Sequence, residues 1–385
     1  MQQKLQRAIL VNVIPHFRDR DEALAEFDEL TRLVETYGGM VILKIIQKRG
    51  RPSAKTFVGE GKALEIAHLV RELKADVVVI NGFLKANQSN HLINIIPCEV
   101  LDRFEMILKI FEKHATSPEA KLQLQIAQHK YEFPKLFGKG AMLSQQAAGM
   151  GVATSGASGG RRAARGPGEK ILDVKRRHLK QNIQTMEKKL IQFRQIRELQ
   201  RQRRRRQDFF TVALVGYTNS GKSSLLKALT RKNVLVEDKL FSTLDTRLGE
   251  LYLPEQTYQK RPKILVADTI GFIQNLPPLL FSSFLATLEE VKEADILLHV
   301  IDINDPHVFE KINVVEDVLA QLECETKPRL YVFNKIDVCR PEDLTVFEET
   351  FQEFSPVFVS AVSRINFDEL LTKIQARLKM APAFS

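Results

Sequence analysis

The sequence predicts a multidomain α/β protein in three parts: a small N-terminal α/β domain, a long α-helical hairpin, and a C-terminal α/β domain with a mainly parallel sheet. Three observations predict it. Short apolar runs alternate with amphipathic helical stretches between residues 8 and 101, the pattern of a parallel sheet crossed by helices. A stretch at 138–168 with nine glycines among Ala, Ser and Gln separates two long polar helical stretches. From Phe210 onward come apolar strands that each end in a polar turn.

The 385 residues are too many for one compact domain and suggest two or three. Hydrophobic residues are 44% and charged residues 27%, enough for a large core, and no apolar run reaches the roughly 18 residues of a membrane span. Met1 to Arg7 leads straight into a strand-like segment, so no signal peptide is expected. Cys98, Cys324 and Cys339 are scattered without metal-ligand spacing, which suits a reducing cytoplasm.

In the first part, residues 1–115, Ala8–Ile14 reads as a strand, Asp21–Tyr37 as a helix ended by Gly38-Gly39, and Met40–Ile46 as a strand. Ala63–Leu73 reads as an amphipathic helix, Asp76–Ile80 as a buried strand and Glu99–Leu101 as a short one. Gly59-Glu60-Gly61-Lys62 precedes a helix and could receive phosphate, but lacks the full loop pattern.

In the second part, residues 116–207, Thr116-Ser117-Pro118-Glu119 resembles a capping box, and a helix is expected to run towards Phe133, with Pro134 ending or kinking it. The stretch 138–168 is too poor in large apolar groups to fold alone and is expected to be a mobile loop. Beyond it Leu172, Leu179, Ile183, Met186, Leu190 and Phe193 recur at helical steps, the core stripe of an antiparallel hairpin. At ~1.5 Å per residue, a ~30-residue helix spans about 45 Å, the reach of a probe. Arg161 to Arg206 carry 17 Lys/Arg against four Asp/Glu, so this segment holds the whole basic excess of a chain whose net charge is +10. That concentration favours a polyanionic partner met through phosphates and shape, since no groove-reading motif accompanies it. Five of the six residues Arg201 to Arg206 are arginines, a hinge, a polyanion contact, or both.

The third part, residues 208–385, carries the chemistry. Strand Phe210–Val215 leads into Gly216-Tyr217-Thr218-Asn219-Ser220-Gly221-Lys222-Ser223, and Ser224–Leu229 continues as helix, the context a phosphate-binding P-loop requires. Lys222 would reach the β- and γ-phosphates of a nucleoside triphosphate and Ser223 would offer its hydroxyl to Mg²⁺. Lys263–Ala267 reads as a strand delivering Asp268-Thr269-Ile270-Gly271, where Asp268 would hold Mg²⁺ through water and the Gly271 N–H would sense the γ-phosphate. Leu330–Phe333 ends in Asn334-Lys335-Ile336-Asp337, whose carboxylate can accept from guanine N1–H and the 2-amino group; adenine offers neither donor. Ser360-Ala361-Val362, after strand Pro356–Val359, resembles the motif whose backbone meets the guanine carbonyl. Together these predict a P-loop GTPase domain that takes GTP, with Mg²⁺. Leu240-Phe241-Ser242-Thr243-Leu244-Asp245 lies where a first switch loop belongs; Thr243 is the candidate Mg²⁺-sensing residue, with Thr246 a competitor. Lys222, Thr243 and Gly271 are the candidate catalytic positions. Phe272 follows Gly271 where many GTPases place a water-orienting glutamine, so slow intrinsic turnover completed by the switches or a partner is expected; Gln274 is a possible substitute.

These residues together resemble the HflX family of translation-associated GTPases over nearly the whole chain. Phe57-Val58-Gly59-Glu60-Gly61-Lys62 is similar to the family's N-terminal signature, Leu122 to Leu136 to its helical segment, and Arg165-Gly166-Pro167-Gly168-Glu169 to its hairpin motif. The GTPase motifs, with the aromatic after Gly271, match its form. The resemblance implies that the N-terminal domain and hairpin bind the large (50S) ribosomal subunit, with ribosomal RNA as the polyanion and the loop tip towards the peptidyl-transferase region. It implies a factor that, with GTP, splits stalled or idle ribosomes, hydrolysis to GDP resetting it; some members also use ATP through the N-terminal domain. A monomer is the expected state, although the sequence leaves oligomerisation open. An assembly or silencing factor that docks on the subunit, with hydrolysis as a timer, is the alternative. The sequence departs from the family in an expanded tip, Met150 to Arg165, and in Glu169–Asp173. It ends one helix after Ser360-Ala361-Val362, so no separate C-terminal domain is expected.

Overall fold

The computed structural model describes residues 6–16, 20–149, 167–207, 209–230, 240–241, 247–251, 263–274 and 277–380. Contacts gather the chain into two units, Met1–Lys113 with Leu122–Leu190, and His114–Lys121 with Ile191–Ser385, so the hairpin helices are shared between them. No helix among the described residues is long and apolar enough to cross a membrane.

The first unit opens with β1 (Gln6–Ile14), α1 (Arg20–Tyr37), β2 (Gly39–Lys48), α2 (Glu60–Glu72), β3 (Val77–Ile80), α3 (Ala86–Ile95), β4 (Glu99–Asp102) and α4 (Arg103–His114). The four strands form a wholly parallel sheet in the order β2-β1-β3-β4. Strand β1 is buried along most of its length, as an apolar run covered on both faces must be. The sequence reading contained neither α3 nor α4. Helix α3 buries only Gln88, Ser89 and Leu92 and so has little apolar period, whereas α4 is amphipathic, with seven of its twelve residues buried and Glu105, Lys109, Glu112 and Lys113 on its open side, a period that the sequence did carry.

Asp102 joins this domain to the hairpin. It caps α4 in a reciprocal box: Glu105 N donates to Asp102 Oδ1 at 2.9 Å, and Asp102 N to Glu105 Oε2 at 3.1 Å. Its other oxygen accepts from Leu84 N at 3.0 Å and from the Tyr131 hydroxyl. Burial, reinforced by the Glu105 charge, pushes the Asp102 carboxyl up to about 6. A folded-state value above the unfolded 3.8 means that the folded chain binds the proton more tightly. The contribution to stability is then full below about pH 4 and lost as pH rises through about 6. We expect the urea midpoint of the wild type, taken relative to Asp102→Asn, to fall between pH 4.5 and pH 7; parallel profiles would show that Asp102 does not titrate there.

Helices α5 (Pro118–Gly149) and α6 (Pro167–Arg206) follow. Glu119 pairs with Arg197 at 2.9 Å and Lys130 with Glu187 at 2.7 Å, so positions advance along α5 as they recede along α6, an antiparallel pairing. Leu179, Ile183, Met186, Leu190 and Phe193 are half-buried, while the residues between them are largely exposed. Of the two outcomes expected at Pro134, an end or a kink, the first is corrected: α5 runs on to Gly149. Contacts on both sides hold the helix together: Tyr131 stacks on Phe104 at 4.0 Å, and Lys135 lies 4.1 Å from the Tyr131 ring and 2.7 Å from Glu105. Nor does a loop begin at 138, since the first glycines of that stretch continue the helix; the remainder, 150–166, lies outside the described residues.

The second unit holds β5 (Phe209–Val215), α7 (Lys222–Thr230), β6 (Arg247–Glu250), β7 (Lys263–Asp268), α8 (Pro278–Glu293), β8 (Ile296–Asp302), α9 (Val308–Gln321), β9 (Arg329–Asn334), α10 (Pro341–Thr350), β10 (Val357–Phe358) and α11 (Phe367–Met380). The sheet runs β10-β9-β8-β5-β7-β6, parallel throughout except where β6 meets β7. Strand β8, absent from the sequence reading, lies between β9 and β5 with its first six residues buried. Its neighbours pack Val212, Leu214, Leu225, Val266 and Leu298 into one core.

The arginine run is accounted for within this unit. The half-buried stripe of α6 continues past Phe193 as Arg197, Arg201 and Arg204, at steps of four, four and three. These face carboxylates. Arg201 lies 3.4 Å from Glu290 and 3.3 Å from Glu289, and Arg204 lies 3.2 Å from Glu290. Glu289 and Glu290 stand near the C-terminal end of α8, where the helix dipole disfavours acids, and the arginines neutralise both. Arg201 and Glu290 are buried. Of the roles left open for the run, a hinge or a polyanion contact, Arg201 and Arg204 are therefore not available for the second, being spent on ion pairs within this unit. Glu290→Ala should cost about 2 kcal/mol, because Arg201 and Arg204 each lose a charge-assisted partner while Arg201 keeps Glu289; an unchanged denaturation free energy would show the pair to be inert.

Candidate functional site

In a parallel sheet all carboxyl ends lie along one edge, and there the loops can converge. β5 delivers the loop 216–221, β7 ends at Asp268, β8 at Asp302, β9 at Asn334, and Ser360 follows β10.

The loop is built to leave space beside its backbone. Gly221 has φ +91, and a Cβ there would lie 2.1 Å from the Asn334 side-chain amide, so no other residue fits. Lys222 is buried at the start of α7, its ammonium donating to Gly216 O at 3.1 Å and Tyr217 O at 2.6 Å. Burial lowers Lys222 to about 8, with Lys335 adding to the effect and Asp268 opposing it. Such a cation gains when a polyanion arrives. The hydroxyls of Thr218 and Ser220 are buried with no hydrogen-bond partner among the described residues, an arrangement suited to an oxygen-rich ligand. Asn219 has φ 64 and turns the loop.

Ser223 Oγ donates to Asp268 Oδ2 at 2.7 Å, and Asp268 is wholly buried. A hydroxyl and a carboxylate suit a hard cation such as Mg²⁺, which takes one or two protein oxygens and completes its shell with phosphate and water. Among the described residues there is no cluster of three or more His, Cys, Asp or Glu that could hold a metal by itself. Thr269 turns inward, its hydroxyl donating to Leu214 O at 2.7 Å, and Ile270 is buried. Gly271 lies against the loop: a Cβ there would meet Thr218 Cα at 2.9 Å and Lys222 Nζ at 3.1 Å.

Phe272 is 1% exposed and zipped onto the loop, with Thr218 N donating to Phe272 O at 2.8 Å and Phe272 N to Gly216 O at 3.1 Å. Gln274 N donates to the Tyr217 hydroxyl at 2.8 Å. Phe241 is buried with φ 56, whereas Ser242, Thr243, Leu244, Asp245 and Thr246 lie outside the described residues.

The base-reading segment is tied to the loop. Asn334 Nδ2 donates to Ser220 O at 3.0 Å, and Asn334 Oδ1 accepts from Ala361 N at 3.0 Å, so one buried amide joins three segments. Lys335 Nζ donates to Asn219 O at 3.0 Å and pairs with Asp302 at 2.7 Å. Ile336 packs against the cluster that includes Phe333 and Phe358, and Asp337 stands exposed in a 3₁₀ turn, free to meet a ligand. Ser360 is buried and its hydroxyl accepts from Ser363 N at 3.0 Å, while Val362 is 81% exposed. Sequence reasoning missed Asp302 and Asn304, although the apolar run Ile296–Ile301 ending in Asp302 and a polar turn was the signal for them.

Comparison with known proteins gives this geometry its family. Residues 25–112 match a family model described as GTP-binding GTPase N-terminal, 114–204 one described as GTP-binding GTPase middle region, and 211–335 one described as 50S ribosome-binding GTPase. The chain is 40% identical over 373 residues to the GTPase HflX of Caldanaerobacter subterraneus subsp. tengcongensis, covering 97% of this chain and 81% of that one. It is 34% identical over 373 residues to the GTPase HflX of Escherichia coli K12, covering 97% and 83%. A crystal structure of the SsGBP and GDP complex matches 98% of this chain and all of that one, with a TM-score of 0.53 at 24% identity, a likeness of fold. Identity at this level, carried through the N-terminal, middle and nucleotide-site regions alike, makes the chain a member of the HflX family of GTPases.

Proposed function

We propose that this GTPase works on the large ribosomal subunit, binding it through ribosomal RNA and dissociating stalled or idle ribosomes in the cytoplasm. The observation that carries the reading is the convergence, at one sheet edge, of the 216–223 loop, Asp268, Gly271 and the Asn334–Asp337 turn, in a chain whose 211–335 region matches a 50S ribosome-binding GTPase model. In this reading Lys222 holds the β- and γ-phosphates, and Ser223, Thr243 and Asp268, the last through water, hold Mg²⁺. Bound Mg²⁺ would neutralise charge on the phosphate oxygens. Gly271 N–H reports the γ-phosphate and Asp337 reads guanine, with the backbone of Ser360-Ala361-Val362 beside it. Tyr217 to Gly221 cradle the phosphates, Phe241 to Asp245 form the first switch, and Thr269, Ile270, Lys335 and Ile336 shape the walls.

Phe272 has no group that orients water, and its ring is packed inside the protein. Turnover by the protein alone is therefore slow, and the ribosome supplies or orders what is missing. The exposed basic residues of α6, Lys175, Arg177, Lys180, Lys188 and Lys189 among them, support the RNA contact, since Arg201 and Arg204 are already paired.

The test is GTP turnover by the protein alone, with large subunits and with intact ribosomes, while light scattering follows subunit dissociation. Stimulated turnover with loss of scattering supports the reading. Stimulation without dissociation would favour a factor that docks and uses hydrolysis as a timer, and no stimulation would sink the ribosomal reading.

A further inference from the structure

The segment made of the end of β8 and the turn that follows it has no part in the motifs above, yet it grips the base-reading turn. Lys335 occupies the left-handed region, with φ 69 and ψ 34, a conformation a lysine does not adopt without support. Two side chains from this segment provide support. Asn304 Nδ2 donates to Lys335 O at 2.9 Å, and Asp302 Oδ2 accepts from Lys335 Nζ at 2.7 Å. The two are themselves tied, Asn304 N donating to Asp302 Oδ1 at 3.2 Å. Lys335 is thus held at both its carbonyl and its ammonium.

The consequence falls on Asp337, two residues on. Ile336 N donates to Val359 O at 3.3 Å and Val338 N to Lys335 O at 3.3 Å, so the short turn carrying Asp337 starts from the peptide that Asn304 fixes. If Lys335 relaxed to the right-handed region, that peptide would rotate and carry the Asp337 carboxylate with it. A bidentate pair needs both oxygens in register, so loss of register is felt first by the outer of its two hydrogen bonds.

We infer that Asp302 and Asn304 are positioning residues for base selection: by holding Lys335 left-handed they keep Asp337 aligned with both guanine donors. The inference rests on the reading of Asp337 as the base-reading carboxylate. It goes beyond that reading in placing part of the selectivity in side chains that touch no nucleotide.

Inosine diphosphate tests it, because it lacks only the 2-amino group and keeps the phosphates, ribose and N1–H. Dissociation constants for GDP and IDP would be measured by calorimetry on the full chain, for the wild type and for Asn304→Ala, Asn304→Asp and Asp302→Asn. The expected result is a GDP-over-IDP preference reduced at least about fivefold in Asn304→Ala, equal to about 1 kcal/mol. Asn304→Asp, whose carboxylate cannot donate to the Lys335 carbonyl, should behave alike. KM for GTP should rise with kcat unchanged, and the melting temperature should stay near that of the wild type. An unchanged preference in both Asn304 variants would overturn the inference, as would equal weakening of GDP and IDP, the mark of a structural role. A wild type with no preference for GDP over IDP would instead remove the reading of Asp337 on which the inference stands.

Discussion

Lys222→Ala is expected to weaken GTP binding at least a hundredfold. The Lys222 ammonium is enclosed, with Gly216 O and Tyr217 O taking two of its three hydrogens and leaving the third for a phosphate oxygen. Truncating one partner of a buried, charge-assisted pair costs about 2–5 kcal/mol, and 3 kcal/mol is already more than a hundredfold. Alanine also leaves the two carbonyls without their donor. The folded chain without nucleotide should not suffer in proportion, because burial makes the charged lysine costly to hold and lowers it to about 8. Titration with a fluorescent GTP analogue, alongside a melting curve of the nucleotide-free protein, checks both halves. A dissociation constant within tenfold of the wild type would mean that Lys222 does not hold the phosphates.

Asp337→Asn should reverse the choice of base. The carboxylate accepts from guanine N1–H and the 2-amino group, whereas an amide keeps one acceptor and brings an N–H against the second donor. A site built to pair with a ligand's donors penalises a mismatch heavily, and a loss of at least about a hundredfold for GTP is expected. Xanthine carries an oxygen in place of the 2-amino group, so XTP should gain. Because Asp337 stands exposed in a turn without buried residues, the fold should be untouched. Unchanged affinity for GTP would overturn the assignment of the base-reading carboxylate.

Much of this architecture was legible because parallel strands buried on both faces are written as short apolar runs, and a P-loop depends on local glycine geometry. Phe210–Val215 followed by Gly216 to Ser223 announces strand, turn and helix without reference to any distant residue. The continuation of α5 through Pro134 was not legible. Proline in a helix interior is a local penalty of roughly 3 kcal/mol, and what offsets it is Tyr131 on Phe104 and Lys135 on Glu105, contacts made across the fold. The same holds for the arginine run. As a sequence it is a block of positive charge, and only the position of Glu289 and Glu290 on α8 shows that Arg201 and Arg204 are already neutralised.

The sequence by itself determined the alternation of strands and helices, the order of the nucleotide motifs and the absence of a water-orienting side chain at Phe272, since each follows from residue type and near-neighbour spacing. Only the tertiary structure decided which charges are spent inside the protein, that β8 stands between β9 and β5, and that Asp302 and Asn304 grip Lys335. Those facts depend on groups brought within hydrogen-bond distance across gaps of about thirty residues or more. At such separations the pairing is chosen by the packing of the whole sheet, and no local pattern in the chain encodes it.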